Sequence, residues 1–144
     1  MTAKRNDPGE LIALAIEAQK RAYVPYSHFR VGAVAEDERG RCFTGCNIEN
    51  ASYPAGICAE RTAVFKAISE GAEKICRLAL VSDADEYARP CGICRQVLAE
   101  HAAEDFVCLA AKPDGTYREL CLEELLPAAF SKDSLSRTKR PSAL

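Results

Sequence analysis

Leu11, Leu14, Ala15, Ala18 and Ala22 recur at helical spacing near the start of the chain. Asp7 suits the N-cap before them, Pro8 the first helical position and Glu10 a capping-box-like partner, which predicts a helix to about Tyr23. "VPYSHF" interrupts it. "FRVGAVAED" then alternates or runs apolar like a strand, and "DERGR" reads as a hairpin turn into a second strand at "RCFTGCNI". After the polar loop "ENASYPAG" the helical rhythm returns in "RTAVFKAISEG", with Val64, Phe65 and Ile68 apolar and Gly71 as the stop. "KICRLALVS" and "DFVCLAA" are apolar runs with polar ends, the pattern of strands covered on both faces. Between them "RPCGICRQVLAE" opens a helix to about Ala103. "KPDG" is a turn signal, "TYREL" a short last strand, and "CLEELLPAAF" a short helix ended near Pro127.

The order α-β-β-α-β-α-β-(β)-α predicts the α/β class: three α/β/α layers around a mixed sheet of about five strands. The hairpin should pair antiparallel, while the strand–helix–strand units from residue 75 onward favour parallel pairing. One domain is expected over residues 1–130, with a flexible tail over 131–144.

Length and composition narrow the function. The 144 residues are 48% hydrophobic and 28% charged, which fits a folded globular chain. A net charge of −2 argues against a polyanion-binding surface, so no nucleic-acid partner is expected. "SRTKRPSAL" reads as a solvated tail rather than a nucleic-acid arm. No apolar run approaches the ~18 residues of a membrane span, and "MTAKRNDPGE" holds no signal-peptide core, so no membrane partner and a cytoplasmic location are expected. In a reducing compartment the eight cysteines point to metal binding or burial rather than to disulfides.

Cys91 and Cys94, spaced i and i+3 at a helix start, share the face of its first turn, with both sulfurs leaning past the helix end. Such a pair can chelate Zn²⁺, although a redox pair, half a zinc knuckle or two buried thiols would read alike. Cys58 also heads a helix. A third sulfur meeting the other two would leave an open fourth position, the pattern of a catalytic rather than a structural zinc. A structural site would need a fourth ligand, but Cys76 and Cys108 lie in apolar strand runs and read as core, and Cys42 and Cys46 read as buried on one sheet face.

Glu60, two residues after Cys58, is too close to share its ion easily but can lean over the open face and move protons. As an isolated residue it would merely complement the helix dipole. Three thiolates leave Zn²⁺ with a net negative charge, which raises the pKa of its bound water, the wrong direction for catalysis. Helix N-termini supply about 0.3–1 kcal/mol each against this charge. Arg61, three residues from Cys58 and on its face, can hydrogen-bond sulfur; its plainer reading is a surface ion pair. Asn47 and Glu49, two apart in an extended segment, face one side and suit a sugar diol, or else mark a polar strand end.

At this point the chain resembles a known family. "CAE" at 58–60 and "PCGIC" at 90–94 resemble the zinc signature of the cytidine deaminase superfamily in its three-cysteine form. "AYVPYSHFRVGA", "GCNIEN", "ICAERTA", "PCGICRQV" and "EELLPAAF" are also similar to segments of small cytidine deaminases, so the resemblance spans residues 10 to 130. It implies one Zn²⁺ per subunit held by Cys58, Cys91 and Cys94, with Glu60 as proton shuttle and Arg61 offsetting thiolate charge. Asn47 and Glu49 would bind ribose hydroxyls, Phe29 would pack on the pyrimidine, and the backbone at Ala59 would read the base amide edge. In the homotetramers of this form, Tyr53 and Phe130 would reach a neighbouring subunit's site. The implied reaction is hydrolytic deamination of cytidine and 2′-deoxycytidine to uridine and 2′-deoxyuridine with loss of ammonia, a step of pyrimidine salvage.

Two positions depart from the family pattern. Ile93 stands where small residues are common, and Arg89–Pro90 replaces a frequent serine–proline entry. Rival readings are a blasticidin-S-type deaminase, a polynucleotide deaminase, and a zinc-stabilised binding protein without catalysis. "NIEN" and "PYSHFRVGA" favour the nucleoside enzyme over the first, the acidic balance disfavours the second, and an intact Glu60 disfavours the third.

Overall fold

The computed structural model describes residues 4–136. Helix α1 (Pro8–Gln19) begins where expected, with the Asp7 carboxylate accepting from the Gly9 N–H at 3.0 Å. It stops short of Tyr23 because that residue's backbone is drawn elsewhere. Its N–H donates to the Asn47 carbonyl at 3.0 Å and its carbonyl accepts from Glu49 N–H at 2.8 Å. Strands β1 (Val31–Asp37) and β2 (Cys42–Cys46) form the hairpin. Then follow α2 (Ala59–Ser69), β3 (Ile75–Ser82), α3 (Gly92–His101), β4 (Ala102–Ala111), β5 (Tyr117–Cys121) and α4 (Leu122–Leu125). Helix α3 was expected to run to about Ala103, but β4 starts at Ala102 with no intervening loop. Of the expected tail, Lys132–Ser136 form a short helix, α5, and 137–144 lie outside the described residues.

The sheet is five-stranded in the order β2-β1-β3-β4-β5. Only β3 and β4 pair in parallel, joined by α3; β1 pairs antiparallel with both β2 and β3, and β5 antiparallel with β4. One face buries Val34, Ala79, Val81, Leu109 and Ala111 under Leu11, Ile12 and Ala15 of α1. The other buries Ala33, Ala35, Leu78, Leu80 and Cys108 under Ala63, Val64 and Ala67 of α2 and Leu98 of α3. These are the expected three layers. Cys76 and Cys108 are buried as read, whereas Cys42 and Cys46 on the outer strand are only half-buried. Leu14 and Phe65, read as inward from periodicity, stand at the solvent edge, 40% and 44% exposed.

Two glycines set how closely the helices approach. A Cβ on Gly32 would run into the Ala15 carbonyl and lie 2.6 Å from the Gln19 nitrogen, so α1 packs directly on β1. A Cβ on Gly45 would lie 2.6 Å from both the Ala59 carbonyl and the Ala63 nitrogen, so the first turn of α2 rests on β2. The sheet end opposite carries buried charge. Glu36, with no exposed surface, accepts from Arg77 Nε at 2.5 Å and Nη2 at 3.0 Å, and from Asn6 N–H and Nδ2 at 2.8 and 2.7 Å. No described helix is long and apolar enough to cross a membrane.

Candidate active site

Cys58 and Cys91 occupy the N-cap positions of α2 and α3, and neither side chain makes a capping hydrogen bond. Ser, Thr, Asp or Asn there would stabilise each helix by about 1 kcal/mol. Local stability has been given up to point sulfur away from the helix ends. Cys94, on the first turn of α3, is fully buried behind them. The three Sγ atoms lie within 4.8 Å of one another, and no other Cys, His, Asp or Glu among the described residues joins the cluster. Tetrahedral coordination with Zn–S near 2.3 Å separates two sulfurs by about 3.8 Å, and Cys58 Sγ and Cys91 Sγ are 3.8 Å apart. The donor set therefore fits one zinc ion with one position left open.

Electrostatics within the three-cysteine cluster make one of the sulfurs a ready thiolate and leave the proton on another. Cys58 is brought down to about 5, chiefly by a hydrogen bond from the Cys94 thiol, against its own burial, with Arg61 and Cys91 adding further bonds. Cys94 is pushed up in turn by its bond to Cys58, by burial and by the nearby Glu60 charge. Arg61 Nη2 donates to Cys58 Sγ at 3.3 Å, and the guanidinium is held firmly charged by that sulfur. Its Nε is buried with no acceptor among the described residues. Glu60 is 5% exposed, and burial raises its carboxyl to about 7, with the Cys58 charge adding to the rise. A carboxyl poised near neutrality can both take and give a proton.

A cavity of about 440 Å³ opens beside this cluster and is lined by Phe29, Asn47, Glu49, Cys58, Ala59, Glu60 and Cys91. It thus gathers seven of the residues singled out from sequence. An adjoining cleft of about 480 Å³ shares Asn47, Glu49 and Cys58 and is lined also by Tyr53 and Arg61. Tyr53 is 77% exposed, its ring edge-on to Tyr26 at 6.1 Å. Phe130 lines neither space; it is 61% exposed, and its carbonyl accepts from Gln96 of α3 at 2.8 Å.

The segment 47–49 is held between bridges from Ile48 to Tyr23 and to Ile57, which keeps it extended. Glu49 Oε1 accepts the Tyr26 and Ser27 N–H groups, both at 3.1 Å, and its carboxyl is held below the usual range first by the Ser27 side chain and then by these backbone bonds. A carboxylate has about four acceptor sites, so capacity remains for hydroxyls. Asn47 is more committed than its sequence context implied. Its Oδ1 accepts from Val31 N–H at 2.9 Å and its Nδ2 donates to the Phe29 carbonyl at 2.8 Å. Sequence reasoning passed over Ser27, Leu80, Ser82, Glu86 and Tyr87 as site residues, and all five also line the cavity. Leu80 and Ser82 belong to a strand that reads simply as buried, and the "DADEYARP" loop carries no motif; its Tyr87 ring is flanked by Lys112 Nζ at 4.8 Å and the Arg118 guanidinium at 4.6 Å.

Residues 5–110 match the family model described as the cytidine and deoxycytidylate deaminase zinc-binding region. The chain belongs to this deaminase family. A cytidine deaminase of Sporosarcina psychrophila is 45% identical over 130 residues, spanning 90% of this chain and 96% of the relative. One of Halalkalibacterium halodurans is 45% identical over 126 residues, spanning 88% and 96%. Among solved structures, the cytidine deaminase of Burkholderia pseudomallei superposes with a TM-score of 0.80 at 40% identity, covering 84% of this chain and 97% of that one. The enzyme of Mycobacterium tuberculosis superposes with a TM-score of 0.76 at 42% identity, covering 87% and 98%. Zinc is the metal of this deaminase family, and the three-sulfur cluster is where this member can hold it. Of the two departures from the family pattern, Ile93 is 62% exposed at the start of α3, and Arg89 lines the cavity itself.

Proposed function

We propose that the chain is a zinc-dependent hydrolase that converts cytidine and 2′-deoxycytidine to uridine and 2′-deoxyuridine with release of ammonia. One observation carries this reading. Three clustered sulfurs, a buried carboxyl and a guanidinium stand beside a cavity whose wall includes an aromatic ring and an acceptor-rich carboxylate. Cys58, Cys91 and Cys94 hold the Zn²⁺, which when bound supplies the Lewis acidity that makes water nucleophilic near neutral pH.

The remaining steps belong to the chain's own side chains. Phe29 packs on the pyrimidine face, while Glu49, with Asn47 stiffening the segment beside it, accepts from ribose hydroxyls. The Ala59 N–H lies in the first turn of α2, where backbone donors lack intrahelical acceptors, and it reads the base amide edge. Glu60 removes a proton from the attacking water and delivers it to N3 as the hydroxyl adds to C4. It then carries the hydroxyl proton to the exocyclic amine; the C4–N bond breaks, ammonia leaves and the C4 carbonyl forms. Burial suits Glu60 to this work, because a carboxyl raised to about 7 exchanges protons in both directions at neutral pH. Arg61 stays charged throughout and draws electron density from Cys58.

The assembly in this reading is a homotetramer in which Tyr53 and Phe130 complete a neighbouring subunit's site. Their high exposure and their position outside the Glu60 cavity support it. The net charge of −2 favours a free nucleoside over a polynucleotide, and the free thiols of the described cysteines suit the reducing cytoplasm. The decisive assay measures ammonia release from cytidine, 2′-deoxycytidine, cytosine and blasticidin S, with and without a zinc chelator. Chelator-sensitive turnover of the two nucleosides is expected. Turnover of blasticidin S alone would reassign the substrate, and activity on none would overturn the proposal. Light scattering on the same sample should give the mass of four chains.

A further inference from the structure

We infer that Asp83 is a positioning residue that holds Phe29 against the pyrimidine through its grip on Arg30; this rests on the reading of the cavity as a nucleoside site. Phe29 and Arg30 lie just before β1, next to His28, whose backbone is left-handed with φ 56°. No strand ladder fixes them. Their backbone groups are instead taken one by one. Phe29 N–H donates to Ser27 Oγ at 3.0 Å, and its carbonyl accepts from Asn47. Arg30 N–H donates to Asp83 Oδ2 at 2.8 Å, and its carbonyl accepts the Asp83 N–H at 3.1 Å and Gln19 Nε2 at 3.2 Å.

The same carboxylate also binds the Arg30 side chain, Nε to Oδ2 at 3.1 Å and Nη2 to Oδ1 at 3.0 Å, while Gln19 Nε2 donates to Oδ1 at 3.2 Å. Four donors meet one carboxylate, which matches its acceptor capacity of about four. The convergence follows from the fold. Asp83 comes directly after Ser82, the last residue of β3, and Ser82 both pairs with Val31 and lines the cavity. Gln19 reaches the site because Gly32 lets α1 lie against β1. The Asp83 latch therefore joins two neighbouring strand ends that each carry part of the cavity wall, Phe29 and Ser82.

The pair is poorly placed to serve stability alone. The Arg30 and Asp83 side chains are 50% and 27% exposed, and ion pairs this open to water contribute about 0–1 kcal/mol. Its geometric effect is larger, since it fixes a segment that has no other regular structure. The Arg30 hydrogen bonds also hold the Asp83 carboxyl below its usual range, so it stays charged at working pH.

The test compares zinc-loaded wild type with Asp83→Ala, Asp83→Asn and Arg30→Ala, measuring kcat and KM for cytidine, zinc content, Tm and calorimetric binding of uridine. Asp83→Ala should raise KM and weaken uridine binding about tenfold, with kcat within about threefold of wild type. Zinc content should not change. Asp83→Asn, which keeps one acceptor of the pair, should fall between. Arg30→Ala should be mildest, because the backbone N–H still reaches Asp83. Wild-type KM in folded Asp83→Ala, or a fall in kcat without a change in KM, overturns the inference. Should that variant fail to fold, an unchanged KM in Asp83→Asn overturns it equally. A wild type that releases no ammonia from cytidine removes the parent reading, and this one with it, before any variant is compared.

Discussion

The Arg61 guanidinium donates to the Cys58 sulfur at 3.3 Å, one turn further along the same helix. The two residues form one electrostatic unit. Cys58 caps α2 and sits at its positive end, and Arg61 adds a full charge on the same face. A thiol binds Zn²⁺ only after losing its proton, so whatever acidifies Cys58 also extends metal binding to lower pH.

Arg61→Ala should therefore raise the Cys58 pKa and weaken zinc retention most on the acidic side. Dialysis against a competing chelator at pH 6 and pH 8 should show the variant losing zinc preferentially at the lower value. The acidic limb of its pH–rate profile should move upward. Equal retention at both pH values, with an unmoved limb, would show that the contact does not tune the sulfurs.

Glu60→Gln separates metal binding from proton transfer. The amide keeps the size of the buried side chain and removes its ability to carry protons. Turnover of cytidine should fall by about 10²–10⁴-fold, with zinc content near wild type. Thermal stability should hold or rise slightly, because a 5% exposed group no longer bears a charge at neutral pH. Near-normal ammonia release would reassign the proton shuttle.

Local signals and distant partners were unequally legible in the chain. Most elements left a local mark: the Asp7-Pro8 start of α1, the cysteines heading α2 and α3, and the apolar runs of β3 and β4, whereas α5 left none. The three zinc-type ligands were visible because their spacing placed two of them on one helical turn and the third at another helix start. Strand order was not visible. Nothing local tells that β1 inserts between β2 and β3, with Val31 opposite Ser82. The same limit hid the far wall of the cavity at Ser82, Glu86 and Tyr87, and the link between Arg30 and Asp83, 53 residues apart. The burial of Glu36 left no local sign for a related reason: the arginine that makes it tolerable lies 41 residues away.

Gly45→Ala tests whether the seat of α2 on β2 sets the metal geometry. The new Cβ would meet backbone atoms of Ala59 and Ala63 at 2.6 Å, and backbone cannot swing aside as a side chain can. The first turn of α2 must then lift, carrying Cys58 and Glu60 away from Cys91 and Cys94. Zinc affinity should drop at least tenfold, the scale on which support around a metal site is felt, and turnover should fall with it. Full zinc loading and normal kcat would mean that the helix start tolerates displacement.

The Glu36–Arg77 pair gives the sharpest prediction about stability and pH. Burial tends to raise the Glu36 carboxyl pKa, but the bonds from Arg77 and Asn6 outweigh it and leave the group below the usual carboxylate range. A folded-state pKa lower than the unfolded one stabilises the protein above the unfolded value near 4.5. That contribution is lost as pH falls through the folded value. Arg77→Met leaves a fully buried carboxylate without its counter-charge, and removal of one partner from such a pair costs about 3–5 kcal/mol at neutral pH. In the variant Glu36 can relieve the strain by taking up a proton, so its deficit relative to wild type should shrink on acidification. Urea unfolding at pH 7 and pH 4 reads this directly. The gap should be narrower at pH 4, and Glu36→Gln added to Arg77→Met should recover part of the pH 7 loss. A deficit equal at both pH values would place the cost in lost packing of the arginine stem rather than in the unpaired charge.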